Sequence, residues 1–112
     1  MSEHQPGRKV VPYRPTAAVA EKRVRELARA TANIQWSQHA LQRMEEREIF
    51  DADAVRVLRE GICKGEPEQT PRGEWKCKMV KTLRGNRETG VVVVLTQSGR
   101  LFVKTVEWED YQ

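Results

Sequence analysis

The spacing of apolar residues changes at Gly61, and this change constrains the fold more than any other feature of the 112-residue chain. Before Gly61, apolar side chains recur at three- and four-residue intervals, which is the period of an amphipathic helix. After Gly61, they alternate with polar residues or form one short continuous run, a pattern typical of strands. Helices followed by consecutive strands predict an α+β fold.

Three helices are predicted before Gly61, over about residues 16–32, 38–48 and 52–60. Each begins beside a side chain that can accept a hydrogen bond from the first helical turn: Thr16, Ser37 and Asp51. Gly61 is suited to end the third helix. The residues expected to face the core include Ala40, Leu41, Met44, Ala54, Leu58 and Ile62.

The second half predicts three to four short strands joined by turns, near residues 62–66, 75–83, 91–95 and 101–108. Pro67 is expected to end the first of them, because proline cannot donate to a strand ladder. The run Val91–Leu95 is apolar throughout and therefore belongs at the centre of the sheet. We expect two to three N-terminal helices packed on a three- to four-stranded antiparallel meander.

The chain divides by composition into three segments. Residues 1–15 contain three prolines and no periodicity, which indicates a flexible arm. Residues 16–35 predict a basic peripheral helix, and residues 36–112 predict the α+β domain. Residues 1–35 carry seven basic and three acidic side chains, so the whole net charge of +4 lies there. This excess suits either a polyanion or protein partner docked on the N-terminal helix, or simply a solvated arm.

Several classes of protein are disfavoured by the same sequence. No apolar run approaches the roughly 20 residues of a membrane span, and the N-terminus has no apolar signal region. The two cysteines, Cys63 and Cys77, are expected to be free thiols in a cytoplasmic protein. A zinc site would need these cysteines with His4 and His39, at no recognised spacing, so we expect no metal and no cofactor.

The main chemical feature is a row of three polar residues on the second helix. His39, Arg43 and Arg47 fall within about 80° of one another around the helix axis. Two guanidiniums one turn apart suit a phosphodiester, and a neighbouring histidine can transfer a proton. This combination is what a metal-independent ribonuclease needs. The alternative is structural, because Arg–Glu pairs at helical spacing are common on surfaces.

Lysines on the strands form a second candidate surface. Alternation places Lys76 and Lys78 on the sheet face opposite Trp75, and Lys81 continues the same basic run. An open lysine face suits a nucleic-acid backbone, whereas alternating lysines also protect an edge strand from aggregation. In the last strand, strict alternation places Phe102, Val106 and Trp108 on one face and Leu101, Val103 and Thr105 on the other.

The stretch from Trp36 to Ile49, which includes Ser37, His39-Ala40, Arg43-Met44 and Arg47, resembles the start of a bacterial family called domain of unknown function 4258. The segment Val103-Lys104-Thr105-Val106 is similar to the hairpin that ends this family. Glu48 departs from the glycine commonly found at its position. The resemblance covers residues 36–108 and implies the broad RelE-like group of folds, which includes barnase, EndoU, colicin and RelE.

Many members of that group are metal-independent ribonucleases, often toxins bound by an antitoxin. The resemblance therefore implies that His39 is the acid/base group, that Arg43 and Arg47 contact phosphate, and that Thr105 is a further catalytic residue. Lys104 would add charge for nucleic-acid binding. The expected function is a toxin-type ribonuclease acting on RNA, or an inactive relative. The alternative is a non-enzymatic protein, a mobile-element accessory factor or inhibitor that binds a protein or nucleoprotein complex.

Overall fold

The computed structural model describes residues 14–109, and the first 13 residues of the expected arm lie outside them. The helices are α1 (Ala17–Ala28), α2 (Gln38–Arg47) and α3 (Asp51–Glu60). The strands are β1 (Ile34–Trp36), β2 (Ile62–Gln69), β3 (Trp75–Thr82), β4 (Glu88–Leu95) and β5 (Leu101–Trp108). Two short 3₁₀ turns connect α1 to β1 and β3 to β4, at Thr31–Asn33 and Arg84–Asn86. The α+β class is confirmed.

The sheet has five strands in the order β1-β5-β4-β3-β2, and it is mixed. Strands β2 to β5 form the expected antiparallel meander, with β4 at the centre. The expectation of three to four antiparallel strands is wrong in one respect, because β1 adds a fifth strand parallel to β5. Strand β1 has only three residues, which is too short to show a period in the sequence.

One hydrophobic core lies between the three helices and one face of the sheet. Its fully buried residues include Val24 from α1, Ala40 from α2, Leu58 from α3 and Val91 and Val103 from the sheet. The helix expected to be peripheral thus contributes to the common core, and the boundary expected at residue 36 falls inside β1. We call the opposite side of the sheet the open face.

Side-chain caps begin the first two helices as expected. The hydroxyl of Thr16 accepts from the Val19 N–H at 3.2 Å, and that of Ser37 accepts from the Ala40 N–H at 2.9 Å. Phe50, not Asp51, is the N-cap of α3, and it makes no side-chain cap. Asp51 lies in the first turn, where its negative charge interacts favourably with the positive end of the helix dipole.

Helices α1 and α3 each supply an arginine whose guanidinium donates hydrogen bonds to the last backbone carbonyls of the other helix. The guanidinium of Arg25 donates to the Gly61 carbonyl at 2.6 and 2.9 Å and to that of Glu60 at 3.1 Å. Conversely, Arg59 donates to the Ala28 carbonyl at 2.7 Å. Arginine near a helix C-terminus interacts favourably with the exposed carbonyls and the dipole. Arg25, one of the basic residues of the N-terminal third, therefore stabilises the fold.

Two residues expected in the core are exposed, and one proline lies inside a strand. Leu41 is 46% exposed and Ile62 is 56% exposed, Ile62 because it pairs with Val80 on the open face. Strand β2 continues past Pro67 to Gln69, with a register shift between Lys64 and Glu68. The shift provides the irregular position at which a strand tolerates proline.

Candidate functional site

Hydrogen bonds join helix α2 to β5 at both ends of the helix. At its start, the Ser37 N–H donates to the Val103 carbonyl and the Ser37 hydroxyl donates to the Lys104 carbonyl, each at 3.0 Å. At its end, the indole N–H of Trp108 donates to the Arg47 carbonyl at 3.2 Å. Ala40 and Met44 bury the inner side of the helix. These contacts fix the orientation of its outer side.

The outer side of α2 carries the three residues of the predicted row. His39 is exposed and forms no hydrogen bond or ion pair within residues 14–109. Arg43 donates to the Glu46 carboxylate, and this hydrogen bond lowers the pKa of Glu46 below its ordinary value of 4.5. Arg47 is half-buried and forms no ion pair in the same range. An exposed imidazole and one unpaired guanidinium are thus available to a ligand.

A cleft of about 380 Å³ lies at the C-terminal end of this row. It is lined by Glu46, Arg47, Glu48, Arg87 and Trp108. The guanidinium carbon of Arg87 lies 4.0 Å from the centroid of the Trp108 ring, a cation–π contact. Two arginines beside an indole are suited to an anionic ligand, and the two glutamates restrict where its charge can lie.

Thr105 lies on the open face, away from the residues that α2 covers. A register shift in the β4–β5 ladder makes Lys104 an extra residue: Val93 pairs with Val103, and Val92 pairs with Thr105. Strict alternation is therefore broken. Val103, Val106 and Trp108 all face the helices, while Phe102 and Thr105 face the open side. The prediction that Trp108 shares a face with Phe102 and lies opposite Val103 is therefore wrong, because the extra residue shifts the alternation by one position.

Three of the four predicted nucleic-acid-binding lysines form ion pairs with glutamates. Lys76 is 3.7 Å from Glu68, and Lys81 is 3.6 Å from Glu60. Lys78 lies 2.8 Å from a Glu107 oxygen and contacts Glu109 as well. These ion pairs reduce the positive charge that the three lysines offer to a nucleic-acid backbone. Lys104 is exposed and forms no ion pair within the described range.

The pair formed by Lys78 belongs to a larger ionic cluster on the open face. Glu109, whose side chain is buried, forms an ion pair with Lys78 at 2.7 Å and accepts a hydrogen bond from Lys64 at 3.1 Å. Burial alone would raise the pKa of Glu109, but its bonds to the two lysines outweigh burial and lower that pKa. Likewise, burial would lower the pKa of Lys78, yet its two carboxylate partners raise it. The cluster is held in its charged form.

The cysteines do not provide a nucleophile. Both are free thiols, with Cys77 buried in the sheet and Cys63 half-buried beside it. Burial raises the pKa of Cys77 to about 12, and burial also raises the pKa of Cys63. Since the thiolate is the reactive form, neither thiol is activated at neutral pH.

Within residues 14–109, no group of three or more histidine, cysteine or acidic side chains could hold a metal ion. His4, one of the four ligands considered from the sequence, lies outside that range. No described helix has both the length and the hydropathy needed to cross a bilayer.

The α2 row and the β5 hairpin both fall within a region shared with a known family. Residues 36–108 match the family model described as Domain of unknown function (DUF4258). The chain belongs to this family. No curated protein and no solved structure matches the chain. The match begins at Trp36 and ends at Trp108, so the DUF4258 region includes α2, α3 and strands β2 to β5, while α1 precedes it.

Two residues of this DUF4258 domain join the α2 row although sequence reasoning did not place them there. Arg87 and Trp108 are separated from Arg47 by about 40 and 60 positions, and only the β4–β5 pairing brings them beside the end of α2. The available signals were the acid-free basic run that ends at Arg87 and the aromatic residue that ends the last strand. Neither signal indicates which helix they approach.

Proposed function

We propose that this chain acts on RNA as a RelE-like, metal-independent ribonuclease domain of the toxin type. The single observation that carries the proposal is the row on α2: His39 is exposed, and Arg47, two turns along, forms no salt bridge in the described range, although its charge helps to lower the pKa of Glu46. The Arg47 end of the row opens onto the cleft with Arg87 and Trp108. RNA supplies both a phosphate for the arginines and bases for an aromatic ring.

The proposed chemistry needs only proton transfer and charge stabilisation. The 2′-oxygen loses its proton and attacks phosphorus, and the 5′-oxygen leaves with a proton. The products are a 2′,3′-cyclic phosphate and a 5′-hydroxyl. His39 is proposed to carry one of these protons, and Arg43 and Arg47 are proposed to stabilise charge on the phosphorane. Arg43 must exchange its bond to Glu46 for a phosphate contact.

The test is cleavage of single-stranded RNA by purified protein, together with growth after expression. We expect wild-type protein to generate cyclic-phosphate ends. His39→Ala should slow cleavage by about a hundredfold or more, as is typical when a general acid or base is removed. Arg47→Ala should slow it as well, because a cation near the phosphate is lost.

Glu45→Ala is the matched control, because Glu45 is also exposed on α2 but its side chain forms no hydrogen bond or ion pair in the described range. It should cleave as the wild type does. Harmless expression of the wild type, with no RNA cleaved in vitro, would overturn the ribonuclease proposal.

A second candidate function is RNA or protein binding without cleavage, as in an accessory factor or inhibitor. Two observations favour it: Glu46 holds Arg43, and Thr105 projects from the sheet face opposite the one that α2 covers. Under this proposal, the His39→Ala variant binds the RNA or protein partner with the same affinity as the wild type, and the wild type does not cleave RNA. Under the first proposal, His39→Ala keeps binding but loses cleavage that the wild type shows.

A further inference from the structure

A second, larger cleft of about 750 Å³ lies on the open face of the sheet. Its floor is formed by Val94 and the half-buried ring of Phe102, which are register partners on β4 and β5. Gln35, the register partner of Phe102 on β1, and Lys104 line its rim. We call this the open-face cleft. Its volume lies within the roughly 300–1,000 Å³ usual for ligand sites.

Two turns wall the open-face cleft, and they are bonded to each other. The Gln97 N–H, in the β4–β5 turn, donates to the Glu74 carboxylate at 3.1 Å. The Gln97 side-chain amide donates to the Arg72 carbonyl, in the β2–β3 turn, at 3.5 Å. Because the turns hold each other, the wall exists before any ligand binds, and less ordering is needed on binding.

The charges around the open-face cleft favour an anionic ligand. Arg72 and Lys104 are exposed cations with no ion-pair partner within residues 14–109, in contrast to Lys76 and Lys78 on the same face of the sheet. Glu74 is the one acidic side chain among the lining residues, and a backbone N–H already occupies one of its oxygens. The lining is therefore cationic overall.

The open-face cleft adjoins the start of α2. The Lys104 carbonyl, on its rim, accepts from the hydroxyl of Ser37, the N-cap of α2. His39 lies in the first turn of that helix. A chain of nucleotides that leaves the cleft past Lys104 must therefore pass the edge of β5 beside Ser37 to reach His39 on the helix side.

We infer that the open-face cleft binds one base of single-stranded RNA, stacked on Phe102, with the adjoining phosphate on Lys104. The inference rests on the proposed action on RNA and assigns a base-binding subsite to it. An aromatic ring accepts the face of a base, and the flanking Gln35 and Glu74 offer hydrogen bonds to its edge. In this arrangement Lys104, which the sequence predicts to contact nucleic acid, binds the phosphate next to the stacked base.

The test is binding of a short fluorescent single-stranded RNA to a His39→Ala protein, which removes cleavage from the measurement. Phe102→Leu, which keeps the apolar floor but removes the ring, should weaken binding by about tenfold or more. The matched control is Phe50→Leu, since Phe50 is the other phenylalanine and lies at the start of α3, on the helix side. It should bind as the parent does.

Lys104→Gln should reduce the slope of log affinity against log salt by roughly 0.7, the value for one phosphate contact on a single strand. Lys22→Gln removes the same charge from the exposed side of α1, on the other side of the sheet, and should leave that slope nearly unchanged. In addition, the backbone amide NMR signals of Val94, Thr96 and Phe102 should shift when RNA is added.

The outcomes separate the two proposals. RNA binding that survives Phe102→Leu and Lys104→Gln, with no shift of those amide signals, overturns this subsite and leaves the action on RNA intact. Failure of the parent protein to bind RNA overturns both. Loss of binding in both cleft variants, with both controls unaffected, supports the subsite whether or not the wild type cleaves RNA.

Discussion

At the scale of single residues, the backbone conformation at Glu48 is one that favours the glycine expected at this position from the resemblance. Glu48 ends α2 with φ 56° and ψ 44°, the left-handed region. A side chain there is strained by about 1–2 kcal/mol, and glycine is not. The chain therefore tolerates a strained glutamate beside Arg47, at the cleft that both residues line.

Replacing Glu48 by glycine should stabilise the protein. The relief of strain exceeds the added entropy of the unfolded chain, so we expect the free energy of unfolding to rise by about 0.5–1 kcal/mol. Urea unfolding measures the change. Glu45→Gly, in the exposed interior of the same helix, should lower stability by about 1 kcal/mol. Equal losses in both variants would contradict the assignment of strain to Glu48.

Two glycines illustrate how the neighbouring atoms decide the cost of a side chain. A Cβ on Gly61 would lie 2.5 Å from the Val57 carbonyl oxygen and 2.6 Å from that of Val80, both backbone atoms. A Cβ on Gly90 would meet the Glu109 carboxylate at 2.4 Å, the end of a flexible side chain. Backbone cannot move without disturbing α3 and β3, whereas a carboxylate can rotate away.

Gly61→Ala should therefore destabilise the fold by about 3 kcal/mol. Gly90→Ala should cost less, about 1–2 kcal/mol, because the buried Glu109 side chain can rotate away and its two lysine partners are partly exposed. Thermal or urea unfolding of both variants under identical conditions tests the difference. If Gly90→Ala proves the more harmful change, the Glu109 carboxylate cannot rotate away from the added methyl group.

At the scale of elements, the reciprocal capping of α1 and α3 joins a helix outside the family region to one inside it. Arg25 and Arg59 reach the terminal carbonyls of the opposite helix, and α1 adds Val24 to the shared core. These contacts predict that residues 14–35 are needed for stability, whatever role the basic residues also have in binding.

Arg25→Gln should lower the free energy of unfolding by about 1–2 kcal/mol, since it removes charged hydrogen bonds to two carbonyls. Arg56→Gln is the matched control. Arg56 is exposed on α3 and bonds only to Glu60 within the described range, so its loss should change stability by no more than about 0.5 kcal/mol. Indistinguishable urea midpoints for the two variants would rule out a stabilising role for Arg25.

At the scale of the whole molecule, the ionic cluster on the open face joins the two ends of the meander. Lys64 on β2, Lys78 on β3 and Glu107 on β5 meet through Glu109, which lies over Gly90 on the central strand. The cluster contains two cations and two anions, so it holds the strands together without presenting a strongly charged surface.

The cluster should make stability depend on pH in the acid range. The folded protein holds the pKa of Glu109 below 4.5, so the unfolded chain binds a proton more readily. The contribution is therefore fully present above about pH 4.5 and is lost as the pH falls through the lower folded value. Urea midpoints measured across this range should fall less steeply for Glu109→Gln than for the wild type.

Glu68→Gln provides the control for this pH dependence, because Glu68 is 75% exposed and 3.7 Å from its lysine. It should retain the wild-type slope. A slope that is the same in Glu109→Gln and the wild type would show that other carboxyl groups control acid unfolding.

Local sequence signals predicted most of the elements and the outer side of α2. Apolar periodicity and capping residues act over a few positions, so the α+β class, the Thr16 and Ser37 caps and the central strand followed from neighbouring residues alone. The same holds for the row of His39, Arg43 and Arg47, because helical spacing determines which side chains share a side.

What depends on distant residues was decided only by the tertiary structure. The three residues of β1 become a strand because β5 offers its edge, and the extra residue at Lys104 reverses the faces of Thr105 and Trp108. Glutamates on other strands or helices form ion pairs with Lys76, Lys78 and Lys81, whereas Lys104 forms none within residues 14–109. Periodicity is a property of neighbours along the chain, whereas register and charge pairing depend on which strands meet.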